Sequence, residues 1–232
     1  MSKQGTILFL HDLDQNNKRE WFQKNKLRYE ESHGEMIAFA DHLLGEMNQH
    51  DVIATNSGRK SLYRIYRDVR FGKDKTPYKT NWGGFMKRAG ANRRGGYYYQ
   101  VGPKGSFVMG GFFGPNAQDL LHIRHQLAQD DELLRAVMES NPFKSYFGEL
   151  RGNQLKTAPR GFPKDHPDVD LLRYKQFLLR HDFKPEEVFS ADFPKTVSMA
   201  FGKMRPFLDV MTELLTTDLN GESLQVTSPQ IQ

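Results

Sequence analysis

From position 22 onward, apolar residues fall at Phe22, Tyr29, Met36, Ile37, Ala40, Leu43, Leu44 and Met47, with polar residues between them. Intervals of three, four and seven place these side chains on one stripe of a helix, so the pattern predicts a long amphipathic helix laid over an apolar layer. Its start is expected at Asn16 and Asn17, whose side-chain oxygens can accept the orphan amides of a first turn. Gly34 is expected to loosen it, and residues 7–13 read as a short helical turn upstream.

The period then changes. Leu62, Arg64 and Tyr66 alternate with Tyr63, Ile65 and Arg67, which is the period of two that sends successive side chains to opposite faces of a strand. Further strands are predicted over 81–87, 96–101 and 106–113, all rich in aromatic or β-branched residues, with Gly102-Pro103-Lys104-Gly105 turning a hairpin between the last two. Helical patterns return at 117–129, 131–140, 168–179, 185–189 and 194–215. Helices, then strands, then helices predict an α+β fold: a mainly antiparallel sheet formed by the central third and packed by N-terminal and C-terminal helices. One domain over 1–219 is expected, followed by a disordered tail at 220–232, which is polar and aperiodic.

Composition narrows the chemistry. With 232 residues, 38% hydrophobic and 12% aromatic, the chain can bury a core of its own, and no apolar run approaches the roughly 18 residues that cross a bilayer. The first thirteen residues lack the basic start and long apolar stretch of an export signal, so no export and no membrane partner are expected. The absence of cysteine removes disulfides, thiolate metal sites and cysteine nucleophiles, and suits a reducing cytoplasm.

Charge is unevenly placed. Residues 59–94 hold twelve Lys or Arg against two Asp, a local +10 in a chain whose formal charge is +5. Positive charge gathered in this way can steer and hold phosphates or carboxylates. Its centre is RIYRDVRFGKDKTPYKT, residues 64–80, where Arg64, Arg67, Arg70, Lys73, Lys75 and Lys79 interleave with Asp68, Asp74, Tyr66 and Tyr78. Arginine offers a planar fork for bidentate anion binding, lysine a point charge, and Gly72 allows close backbone approach. The bland alternative is that the two aspartates neutralise the neighbouring bases. Alternation puts Arg64 with Tyr66 and Arg67 opposite, with Tyr63, so only a bend near 68–78 could gather the charge around one ligand.

This motif, with NNKREWF at 16–22, APRGFPKDHP at 158–167 and LLRYK at 171–175, resembles the family named domain of unknown function 2461 over residues 8–215. The resemblance implies no reaction and no catalytic residues. Gly72 stands where serine is common in that family and Asn81 where histidine is common, which argues against essential hydroxyl or imidazole chemistry at either place.

In APRGFPKDHP, Arg160 could join an anion site, and His166 between Asp165 and Asp168 could act as general acid or base. Asp168 reads more simply as the cap of the following helix. His122 and His125, three apart on a predicted helix, could share a metal only in principle; Arg124 lies between them and no acidic ligand follows, so no metal is expected. Trp21, Phe22 and the Tyr97-Tyr98-Tyr99 run could stack on bases, although core packing is the simpler role. The glycine pairs form neither a dinucleotide nor a phosphate-loop motif, and no cofactor is expected.

The leading expectation is a small-molecule site for a phosphorylated or carboxylated ligand, built from Arg64, Arg67, Arg70, Lys73, Lys75, Lys79 and Arg160. A hydrolase or transferase version would add Asp68, Asp74, His166 or Tyr78 as acid, base or donor. Two other readings compete: a nucleic-acid-binding module using the 59–94 basic face, and a structural or interaction protein with an internal salt-bridge network. Oligomeric state and pathway are not legible.

Overall fold

A computed structural model describes residues 3–70, 72–90 and 94–224. The fold is α+β: four strands form one antiparallel sheet in the order β1-β2-β3-β4, where β1 is Trp82–Lys87, β2 Gly96–Val101, β3 Ser106–Phe112 and β4 Phe177–Phe183. The chain divides into two compact units. The first comprises Met1–Lys87, Tyr97–Met109 and His181–Gly202, and the second Arg88–Gly96, Gly110–Arg180 and Lys203–Gln232.

In the first unit, α1 (Lys3–Gln15), α2 (Arg19–Lys24), α3 (Lys26–Met47) and α4 (Gly58–Ser61) come before the strands, and α9 (Pro185–Phe189) follows β4. The buried stripe of α3 carries Met36, Phe39, Ala40, Leu43, Leu44 and Met47; the 3.6-residue period had marked all of these but Phe39, while Ile37, which it also marked, is only half-buried, and Gly34 does not interrupt the helix. Strand alternation sends Trp82, Tyr97 and Tyr99 inward. Tyr99 meets Phe39 edge-on at 5.5 Å, and Tyr97 meets Phe201, from the start of α10 (Phe193–Thr216), at 4.8 Å. Their polar atoms are satisfied: Tyr97 Oη donates to Asp51 at 2.7 Å, the Tyr99 hydroxyl bonds Ser61 Oγ at 2.8 Å, and Trp82 Nε1 donates to Ser32 at 2.8 Å.

Gly58 lets α4 touch α3. Its amide donates to Asp41 Oδ1 at 2.5 Å, and a Cβ there would collide with the backbone of Ile37, Ala40 and Asp41. Gly58→Ala is therefore expected to cost about 2 kcal/mol in a urea melt, the range of overpacked cores, and an unchanged midpoint would contradict the contact.

The second unit holds α5 (Ala117–Gln129), α6 (Glu132–Glu139), α7 (Asn141–Phe147), α8 (Val169–Leu172) and the rest of α10. Asn116 caps α5 by accepting from Asp119 N, and Ser140 caps α7 by accepting from Phe143 N.

Several expectations need correction. Residues 7–13 belong to a full helix, α1, and Asn16 sits at its end, its side chain donating to Asp12 O at 2.9 Å. Asn17 caps nothing; its amide instead clamps Tyr78, as described below. Residues 62–67 make only isolated bridges, Leu62 with Gly84 and Tyr66 with Tyr78. The helix expected over 168–179 stops at Leu172, and Phe177–Phe183 is a strand. The triplet Phe177-Leu178-Leu179 suits either period, and Leu178 exchanges hydrogen bonds with Arg151, at 2.7 and 2.9 Å, a partner far upstream. Of the tail expected from 220, residues 220–224 close back on α10, where Leu224 N donates to Thr216 O, and 225–232 lie outside the described residues.

Candidate anion site

The segment 64–79 is a narrow ribbon folded back on itself. Arg67 N donates to Pro77 O at 2.9 Å and Lys79 N to Ile65 O at 2.7 Å, which places Tyr66 opposite Tyr78. Asn17 fixes the return limb by both edges of one peptide group's neighbourhood: its Nδ2 donates to Tyr78 O at 2.9 Å and its Oδ1 accepts from Tyr78 N at 3.1 Å. Tyr78 is consequently buried, stacked on Phe22 at 4.0 Å, and burial raises its phenol pKa. Its ring is occupied as core, while Tyr66 on the same face stays exposed.

The turn between the limbs ties off much of its own charge. Arg70 forks onto Asp68 at 3.0 and 2.7 Å, three-quarters exposed, and holds that carboxyl below its usual range. Lys75 Nζ donates to Val69 O at 2.8 Å and Arg70 O at 3.4 Å, closing the loop from inside. Lys73 is exposed. Phe71 lies outside the described residues. Arg67 pairs with Asp74 and donates to Thr76 Oγ1 at 2.6 Å, while Asp74 accepts from Thr76 N at 2.9 Å. Together these bonds, the Thr76 amide first and then Arg67, hold Asp74 down to about 2.

Asp74 carries a pH prediction. A carboxyl whose folded pKa lies below its unfolded value of 3.8 adds stability above that value and loses it as pH falls through about 2. Carbon NMR of the Asp74 carboxyl is expected to give a midpoint near 2, and a midpoint near 3.8 would show that the turn is open in solution.

Beside this ribbon lies a cavity of about 300 Å³. Its charged lining is Arg67, Lys79 and Lys104 against Asp14 and Asp74, and Asn17, Thr76, Thr80 and Asn81 supply neutral donors and acceptors. Lys104 pairs with Asp14 at 2.7 Å and Arg67 with Asp74. Lys79 is different. Half-buried, it has no hydrogen-bond acceptor or carboxylate for its ammonium among the described residues; Nζ stands 5.3 Å from the Tyr63 ring. Burial first, then the Arg64 and Arg67 guanidiniums, push its pKa below the usual lysine value.

The structure thus brings Arg67 and Lys79 into one lining, with Arg64 close enough to repel Lys79, and turns Arg70 and Lys75 to internal partners. Arg160 and His166 belong to the second unit and are not among the residues lining this cavity. There, His166 Nδ1 accepts from Asp168 N at 3.1 Å. Asp168 makes no side-chain cap, contrary to expectation, because its carboxylate accepts from Arg135 at 3.2 Å. His122 Nε2 donates to Thr217 O at 2.8 Å and the His125 ring packs on Phe162 at 5.2 Å, both structural roles.

Sequence reasoning missed several lining residues. Asn17 was assigned to a helix cap, and Asp14 and Lys104 are ninety positions apart, so no local pattern joins them. Asn81 lines the cavity with an amide.

Among the described residues no helix is long and apolar enough to cross a membrane. A family model described as a conserved hypothetical protein, DUF2461, matches residues 5–209. No curated protein and no solved structure matches the chain.

Proposed function

The chain belongs to the conserved hypothetical protein family DUF2461, whose description states no reaction, and we propose from the site itself that it binds a small phosphorylated or carboxylated molecule in the Arg67–Lys79 cavity. One observation carries this reading: a half-buried ammonium, Lys79, lines a polar cavity beside two guanidiniums and has no acidic partner among the described residues. Such crowding is unfavourable until an anion enters, and a phosphate or carboxylate there would also meet Arg67 and the Asn17 amide as donors. The lining has three cations and two carboxylates, a modest positive excess suited to a small anion.

Binding is favoured over turnover. Asp74 is ionised and bonded to Arg67 and Thr76, which makes it a poor base, Tyr78 lines the cavity but is buried and stacked on Phe22, and His166 is not among the lining residues. A polyanion face over 59–94 fits less well, since Arg70, Lys75, Arg88 and Arg94 each have internal partners.

Calorimetric titration with inorganic phosphate, and separately citrate, at low ionic strength is expected to show saturable binding at one site that weakens with salt. Heat that grows without saturation would count against the proposal.

A further inference from the structure

Solvent-facing sheet surfaces are ordinarily polar, but here the outward positions of β1, β2 and β3 carry Phe85, Tyr98, Phe107 and Met109, all half-exposed. From Phe107 a line of rings runs toward Lys79. Phe107 lies 5.9 Å from Tyr98, Tyr98 6.2 Å from Tyr63, and Tyr63 5.3 Å from Lys79 Nζ. Gly83 makes the join possible. Tyr63 N donates to Gly83 O at 2.9 Å, and a Cβ on Gly83 would stand 2.8 Å from Tyr98 Oη, so the Tyr98 ring lies over the space a side chain would fill. Tyr63 itself is 47% exposed, so its ring is open to a ligand.

We propose that the ligand is a phosphate ester carrying a planar ring, with its phosphate at Arg67 and Lys79 and its ring stacked across Tyr63 and Tyr98. This rests on the anion-site reading and adds the second half of the ligand. The chemistry is complementary at both ends: fixed cations meet the phosphate, and tilted aromatic faces, 33° apart between Tyr63 and Tyr98, meet a flat ring, with 5.3 Å between Lys79 Nζ and the Tyr63 ring. Stacking on an aromatic side chain tolerates many rings, so the site selects for planarity and charge more than for a particular base.

The test compares adenosine 5′-monophosphate, ribose 5-phosphate and inorganic phosphate by calorimetry on the full chain. The nucleotide is expected to bind about tenfold more tightly than ribose 5-phosphate, the lower range of one stacked base. Tyr63→Ala should remove that preference, so that the nucleotide binds no more tightly than ribose 5-phosphate to the same variant, and Tyr63→Phe should retain it. Equal affinity for the nucleotide and ribose 5-phosphate in the unaltered protein overturns the ring assignment and leaves the anion site standing. Failure of all three to bind overturns both. Binding of an oligothymidylate without binding of the mononucleotide also overturns it, in favour of a polyanion face.

Discussion

Lys79→Met is expected to weaken phosphate binding roughly 10-fold to 100-fold and, in the same protein, to raise the melting temperature at neutral pH. The two effects share one cause. In the unliganded chain, burial and the neighbouring Arg64 and Arg67 disfavour the ammonium, as its lowered pKa records. A lysine with a lowered folded pKa costs stability wherever it is charged: fully below its folded midpoint, and not at all once pH exceeds the unfolded value of 10.5. Methionine retains an unbranched apolar chain against Tyr63 and removes the repulsion. In the proposed site the same ammonium is the anion's principal partner, and a hydrogen bond to a charged group contributes about 1.5–3 kcal/mol, so affinity should fall roughly 10-fold to 100-fold. Stability gained as binding is lost marks a side chain kept for a ligand. A variant that melts lower and binds phosphate normally would place Lys79 among structural residues.

Asp209→Asn is expected to destabilise the second unit by about 3 kcal/mol, the largest cost among the single changes considered. Arg88 is almost fully enclosed, its side chain 1% exposed, and its guanidinium donates to Asp209 at 2.5 Å, Arg94 O at 3.3 Å and Thr212 Oγ1 at 3.4 Å. Asp209 is half-exposed and also receives Arg205 at 3.2 Å. The pair is therefore asymmetric. Removing the carboxylate takes the Asp209 charge away from an enclosed cation, whereas Arg88→Met leaves a carboxylate that water and Arg205 still solvate. Urea denaturation should rank Asp209→Asn as the more damaging of the two, and the reverse order would show that Arg88 matters chiefly as packing.

Much of this was legible because it is local. Alternation and turn chemistry place β2 and β3 with Gly102-Pro103-Lys104-Gly105 between them, and Asn116 marks the start of α5. The same alternation separates Arg64 and Tyr66 from Arg67 even though no regular strand forms, because the bridge of Tyr66 with Tyr78 preserves the two faces. What stayed hidden depends on distant partners. Leu178 becomes strand through Arg151, Asn17 turns from cap to clamp because Tyr78 lies beside it, and Lys104 reaches the cavity by pairing with Asp14. The sequence marks where positive charge is concentrated; only the fold separates Arg70 and Lys75, which are turned to internal acceptors, from Lys79, which is not.

The most direct measurement is NMR observation of the Lys79 side chain during pH titrations with and without saturating phosphate. In the free protein its midpoint should lie below 10.5, and phosphate should move it upward, because a bound anion favours the charged form. Exposed Lys73 should show no comparable change. A Lys79 midpoint that phosphate does not move, or equal movement at Lys73, would contradict an anion site in this cavity.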